Sequence, residues 1–261
     1  MISIKDLSFS QKLRDGKHQC IINGIHCSVE RGACVTIIGP SGGGKTTLLR
    51  ILAGLEHDYE GAVDIDGASP LRAQEEGRIG FVFQQPVLFP WRTVRENIEL
   101  PFEVKGKSLA SNVIGEMLKI TALEKYASYH PYQLSGGMQS RVAIARALVT
   151  EPDLLLLDEP FADLDEFNRE RMNLELQRIW MNTGATMFFV THDLVEAVFL
   201  ADRVIVLSSK PAQIYQEFQV NFPRPRTPEL MECPEFDSLL LRVRGSLRKA
   251  TKLHAQQENC L

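Results

Sequence analysis

Nine consecutive residues, Gly39-Pro40-Ser41-Gly42-Gly43-Gly44-Lys45-Thr46-Thr47, put four glycines, one ammonium and three hydroxyls into a single stretch. Glycines let a backbone curl until successive N–H groups point inward at an anion. The β-branched run Cys34-Val35-Thr36-Ile37-Ile38 precedes the stretch, and Leu48-Leu49-Arg50-Ile51-Leu52-Ala53 follows it with helical character. A Gly-rich segment alone is an ordinary turn. The full G-x-x-x-x-G-K-T spacing between strand and helix is instead the layout of a phosphate-binding loop. Lys45 can reach the β- and γ-phosphates, and the Thr46 hydroxyl can sit on Mg²⁺. The chain is expected to bind a nucleoside triphosphate.

Such a loop needs carboxylates, and Asp158-Glu159 stands at the end of the apolar run Asp153-Leu154-Leu155-Leu156-Leu157. Asp158 fits the acid that holds Mg²⁺, and Glu159 can polarise an attacking water. Asp-Glu-Pro after a strand is a turn when read in isolation; the upstream loop gives it a chemical reading. Leu134-Ser135-Gly136-Gly137-Met138-Gln139 opens a helix running to about Val149. Small residues there expose N–H groups at the positive end of the helix dipole, which suits an anion. On its own, Ser-Gly-Gly would be a flexible loop.

The elements that must position these groups follow from periodicity. Residues 2–9 and Cys20 to Val29 alternate as strands, forming a small antiparallel sheet beside the main one, with Asp15-Gly16 as a turn. Tyr59-Glu60-Gly61 is loop-like, and Ala62 to Asp66 is a short strand. Ile79 to Phe83 is a buried strand ended by Gln84-Gln85-Pro86. Val87-Leu88-Phe89-Pro90-Trp91 is an unusually apolar loop. From Thr93 to Thr150 helix formers dominate, with Thr93-Val94-Arg95-Glu96 resembling a capping box and Leu109, Val113, Met117 and Ile120 at helical spacing. This is a helical subdomain inserted at about 93–151. Glu166 to Asn182 is a helix, Thr186 to Thr191 a core strand, and Asp193 caps the helix that follows, with Glu196 three residues later. Strands at Arg203–Leu207 and Gln213–Phe218 finish the sheet. A Pro-containing tail and a helix from Pro234 to about Lys252 close the chain.

Composition narrows the partners. The 261 residues are 44% hydrophobic and 24% charged, with formal net charge −4, which argues against a general nucleic-acid binder. No apolar run approaches the roughly 20 residues of a membrane span. The opening Met1-Ile2-Ser3-Ile4-Lys5-Asp6 has no apolar signal region, and five scattered cysteines without a C-x-x-C pair read as reduced thiols in a cytosolic protein.

Phosphate loop, Ser-Gly-Gly signature, leucine-rich strand with Asp158-Glu159, and Thr191-His192-Asp193 together resemble the ATP-binding cassette ATPases of ABC transporters, in order and spacing from about Ile2 to Leu207. The resemblance implies an α/β P-loop NTPase core with a mixed central sheet, an N-terminal antiparallel β subdomain and an inserted helical subdomain. It implies an ATPase domain over 1–220 and a C-terminal tail over 221–261. Gln84 corresponds to the glutamine that contacts Mg²⁺ and the attacking water, His192 to the switch histidine at the γ-phosphate, and Asp165 to an aspartate at the dimer interface. Ser135, Gly136 and Gly137 would cover the ATP of a second subunit in a head-to-tail homodimer. Three departures stand out: Gln11 occupies the place of an adenine-stacking aromatic, with Phe9 two residues earlier; Asp163 replaces a small residue; Ser140 replaces a longer polar one.

Phe89-Pro90-Trp91-Arg92-Thr93-Val94, Ala201-Asp202-Arg203-Val204 and Asn221-Phe222-Pro223-Arg224-Pro225-Arg226 resemble the nitrate/sulfonate/taurine-type importers, a group with relatives for pyrimidine precursors. The implied partners are integral-membrane permease subunits and an extracytoplasmic solute-binding protein, with the ATPase peripheral on the cytoplasmic face of the inner membrane. Export of lipid or lipoprotein, and a non-transport cassette ATPase, are the alternatives. Only about 50 residues without heptads separate Gln84 from Ser135, which disfavours the coiled-coil DNA-repair type. The basic strip Arg242, Arg244, Arg248, Lys249 and Lys252 reads as a solvated face.

Overall fold

Two apolar patterns divide the strands, and they fold into two sheets. The computed structural model describes residues 1–13, 16–106 and 111–258. β1 (Ile2–Lys12) and β2 (His18–Val29) bury alternate residues. β3 (Cys34–Ile38) is buried throughout and leads into α1 (Lys45–Leu52). β4 (Tyr59–Ile65) returns to pair with β1, giving an antiparallel sheet of order β2-β1-β4. A short α2 (Pro70–Glu75) then leads to β5 (Ile79–Val82).

The helical insertion follows: α3 (Val94–Val104), α4 (Ser111–Ile120) and α5 (Gly136–Leu148). Thr93 and Glu96 form the expected reciprocal cap of α3, with Oγ1 accepting from the Glu96 amide at 3.2 Å and the Glu96 carboxylate accepting from the Thr93 amide at 2.7 Å. Leu109, assigned to the second helix from sequence, lies outside the described residues, as does Asp15.

Past the insertion come β6 (Leu154–Asp158), α6 (Glu166–Thr183), β7 (Thr186–Val190), α7 (Leu194–Leu200), β8 (Arg203–Leu207), β9 (Ile214–Gln219) and α8 (Pro234–Glu258). The main sheet has order β5-β6-β7-β3-β8-β9, parallel except for β9. Parallel central strands are covered on both faces, which is why β3, β6 and β7 read as unbroken apolar runs. Alternation still assigns the faces: Leu155 and Leu157 pack toward the helices with Phe161, Leu176 and Val198, whereas Leu154 and Leu156 pack toward α1 and the small sheet with Leu49 and Ile22.

Where structure and expectation differ, the cause is tertiary. Tyr59-Glu60-Gly61 belongs to β4 because Tyr59 and Glu60 pair with Phe9 and Ser8 across a bulge. Gly61 permits this at φ 90; a Cβ there would sit 2.4 Å from the Asp6 carbonyl oxygen. The first helix begins at Lys45, three residues before the apolar run, because Gly44 in the left-handed region starts it directly from the loop. α2 had no counterpart in the sequence reading.

The C-terminal segment is built into the cassette. Arg226, 2% exposed, donates to the carbonyls of Phe199 and Ala201 at 2.7 Å each and of Val198 at 3.2 Å, closing the last turn of α7. Gln177 on α6 exchanges two 2.8 Å hydrogen bonds with the Arg226 backbone. Burial pushes the Arg226 guanidinium down to about 10.

Candidate nucleotide site

In open α/β sheets, ligands gather at the carboxyl ends of the strands. Here β3 ends at the phosphate loop, β5 just before Gln84, β6 at Asp158 and β7 two residues before His192, so four parallel strands deliver their polar termini to one edge.

The loop 39–44 closes with a hydrogen bond from the Gly43 amide to the Pro40 carbonyl at 3.0 Å. Gly44, at φ 82, is the N-cap of α1 and aims the first amides of that helix at the loop. Ser41, Gly42 and Thr46 are exposed and Gly43 is buried beneath them. The Lys45 ammonium donates to the carbonyls of Gly39 and Pro40 at 3.1 Å each. Burial lowers its proton affinity, and the nearby Glu159 and Asp158 charges act against that.

Thr46 and Asp158 meet at 3.1 Å, hydroxyl to carboxylate. Burial raises the Asp158 carboxyl above its ordinary range, the Thr46 donation opposing it. Glu159 adopts φ 46, left-handed for a residue with a side chain, and its amide donates to the Val190 carbonyl at 3.0 Å. That conformation costs on the order of 1 kcal/mol or more and is characteristic of functional positions. Its carboxylate lies 3.1 Å from His192 Nδ1. Lys45, Thr46, Asp158, Glu159 and His192 are thus brought together, with exposed Gln84 at the same edge.

Ser135, Gly136, Gly137 and Asp165 form a second group, and among the described residues no hydrogen bond links them to the first. Ser135 caps α5 by accepting from the Met138 amide at 3.4 Å. Cβ atoms built on Gly136 and Gly137 would lie 3.6 and 3.9 Å from Leu164, so the signature faces the 161–165 loop of its own chain. Asp165 caps α6, and the Asn168 amide at 3.0 Å holds its carboxyl below the usual range. Ser140, buried, donates to the Pro160 carbonyl at 3.1 Å, tying the signature helix to the residue after Glu159.

Several residues escaped the sequence reading. Asn97, fully buried on α3, exchanges hydrogen bonds with the Phe89 backbone at 2.8 and 3.2 Å, and Arg146 on α5 donates to the carbonyls of Pro86 and Val87. Between these pins the apolar segment presents Val87 and Trp91 outward, 59% and 70% exposed, while Leu88 packs on the core. Arg169 and Glu196 flank the His192 segment; Glu196 accepts from the Thr191 hydroxyl and is 3% exposed. The cap that joins Asp193 to Glu196 is legible in sequence, but the burial of Glu196 and its bond from Thr191 are not.

Burial pushes the Glu196 carboxyl up from 4.5 to about 7. The native state therefore retains a proton that the unfolded chain gives up, and stability falls as pH rises from about 4.5 to 7. Thermal melting of Glu196→Gln, which keeps an acceptor for Thr191, should show a gain of several degrees at pH 8 that vanishes near pH 4.

A phosphate loop after the central strand of a parallel sheet, with an acidic strand end beside it, defines an α/β P-loop ATPase. The ABC transporter family model matches residues 22–162. The aliphatic sulfonates import ATP-binding protein SsuB of Bacillus subtilis is 40% identical over 254 residues, covering 97% of this chain and 95% of that protein. The taurine import ATP-binding protein TauB of Pseudomonas aeruginosa is 39% identical over 220 residues, 84% of this chain and 82% of that protein. Among solved structures, the dimeric post-hydrolysis ATP-binding cassette MJ0796 bound to ADP and Pi aligns with TM-score 0.74 and 33% identity, over 85% of this chain and 100% of that one. The chain belongs to the ABC transporter family. It is an ABC-type ATPase, with ATP as its substrate.

Proposed function

We propose that this protein is the ATP-hydrolysing subunit of an importer for small organosulfonates, working through separate membrane permease subunits. The single observation that carries the catalytic half is the clustering of Lys45, Thr46, Asp158, Glu159 and His192 at the carboxyl edge of the sheet. The 40% identity to SsuB along nearly the whole chain supports the transport half and the solute class. No helix among the described residues is long and apolar enough to cross a membrane; in this reading the permease subunits supply the pore.

In this reading the amides of Gly39, Pro40's neighbour Ser41, Gly42, Gly43, Gly44 and Lys45, with the hydroxyls of Thr46 and Thr47, surround the phosphates of ATP. Lys45 balances the β/γ charge. The Thr46–Asp158 oxygen pair suits Mg²⁺, which favours one or two protein oxygens plus phosphates and water over an all-protein cage. Bound there, with Gln84 at hand, the ion would polarise phosphate oxygens. Glu159 orients and deprotonates the attacking water, and His192 fixes its carboxylate and faces the γ-phosphate.

Ser135, Gly136 and Gly137 cover the ATP of a second copy, with Asp165 at the same interface. This places two helix N-termini on one triphosphate and makes hydrolysis depend on a closed dimer. The ATPase domain spans 1–220, and the 221–261 tail braces it through Arg224 and Arg226. The exposed Val87 and Trp91 form the docking face for a permease segment. The protein sits peripherally on the cytoplasmic face of the inner membrane, in a complex completed by an extracytoplasmic solute-binding protein.

Copurification from gently solubilised membranes, followed by reconstitution, tests this. A multispan partner and ATPase activity stimulated by alkanesulfonates or taurine are expected. Recovery with ribosomes or DNA, or stimulation by an unrelated solute class alone, would overturn it.

A further inference from the structure

Behind the His192 segment, α6 and α7 enclose a cavity of about 100 Å³ lined by Arg169, Asn173, Asp193 and Glu196 among others. The Arg169 guanidinium forks at its rim. One nitrogen pairs with Asp193 Oδ2 at 2.8 Å, and the other donates to the Leu164 carbonyl at 2.8 Å. Asp193 directly follows His192 and caps α7, accepting from the Glu196 amide at 3.0 Å. Leu164 directly precedes Asp165, and its side chain faces Gly136 and, together with Met172 of α6, Gly137.

The far side of the segment is held as firmly. The Asp193 amide donates to Thr191 Oγ1 at 2.9 Å, and that hydroxyl donates to buried Glu196. His192 is exposed, yet both its neighbours are anchored, and its ring reaches Glu159 at 3.1 Å. A chain of polar contacts therefore runs from the Leu164 carbonyl, in the loop that Gly136 faces, through Arg169 and Asp193 to the segment of His192 and so to Glu159. Arginine suits the junction because its planar fork serves two acceptors at fixed separation, which an ammonium cannot reproduce.

We propose that Arg169 is a positioning residue: it ties the orientation of His192 to the position of the Leu164–Asp165 loop, so that nucleotide under the Ser135–Gly137 face sets the geometry of the Glu159–His192 pair. This rests on the composite-site reading above. In a head-to-tail dimer it makes each subunit's catalytic pair respond to the ATP held by its partner, a coupling carried by an element both sites bias.

The test compares steady-state ATPase kinetics of the full-length protein with those of Arg169→Met, Arg169→Lys and Asp193→Asn, with binding of a fluorescent ATP analogue measured separately. Arg169→Met should lose about 10- to 100-fold in kcat, the scale of a small misplacement of a catalytic group. Its analogue affinity should stay within about threefold, and its Hill coefficient for ATP should fall toward 1. Arg169→Lys should rescue the fold but not the cooperativity. Should Arg169→Met melt early, Asp193→Asn carries the same expectation, since it keeps the cap oxygen and drops the charge that Arg169 engages. Wild-type kcat and Hill coefficient in Arg169→Lys and Asp193→Asn would overturn the proposal. Glu159→Gln is assayed alongside: inactive Glu159→Gln with unaffected Arg169 variants rejects this inference alone, whereas active Glu159→Gln rejects the site reading and this inference with it.

Discussion

Glu159→Gln should lower ATP turnover by about 10²- to 10⁴-fold, the usual contribution of a positioned general base, while ATP binding survives. Amide replaces carboxylate at nearly equal size, so the left-handed backbone at φ 46 and the hydrogen bond from the residue's backbone N–H to the Val190 carbonyl stay in place. What goes is the negative charge 3.1 Å from His192 Nδ1 and its capacity to take a proton from water. Removing a charge from beside phosphates also weakens electrostatic repulsion in the bound state. ATP should therefore be held at least as tightly as by wild type, and radiolabelled ATP retained on the variant without release of phosphate checks both halves of the expectation.

Lys45→Ala should fail earlier, at binding. Lys45 is 7% exposed, and its ammonium lies against the Gly39 and Pro40 carbonyls at the floor of the loop. Charge-assisted hydrogen bonds are each worth about 1.5–3 kcal/mol. Losing those made to the phosphates should raise the Kd for ATP about 100-fold, and hydrolysis at subsaturating ATP should fall at least as far. Isothermal titration with ATP separates this variant from Glu159→Gln: the two should lose turnover alike and differ in affinity by two orders of magnitude or more.

How much of this was legible depends on where each signal resides. Cys34–Ile38, Leu154–Asp158 and Thr186–Val190 are apolar runs that stop abruptly at chemistry-bearing residues, so the strands and the residues at their ends could be anticipated, whereas the sheet order and the shared edge come only with pairing. Asp193 and the Thr93–Glu96 box were legible because caps are local. Tyr59-Glu60-Gly61 was not, because its strand pairing depends on the distant residues Ser8 and Phe9. Arg169, Glu196 and Arg226 look like surface charges in one dimension; only packing of α6 against α7 and the returning C-terminal segment turns them inward. The apolar stretch 87–91 divides in a way periodicity cannot express, with Leu88 packed and Val87 and Trp91 exposed by the pins from Asn97 and Arg146.

In the composite-site reading proposed above, the group from Lys45 to His192 in one chain works with the group from Ser135 to Asp165 in a second copy, and no hydrogen bond among the described residues joins the two groups within one chain. Sedimentation velocity of Glu159→Gln with and without ATP tests that claim most directly. The protein should sediment as a dimer with ATP and as a monomer without it, and Ser135→Arg in the same background should stay monomeric with ATP bound. A Glu159→Gln protein that binds ATP yet remains monomeric at every concentration, alongside a wild type whose specific activity is independent of protein concentration, would contradict the composite site.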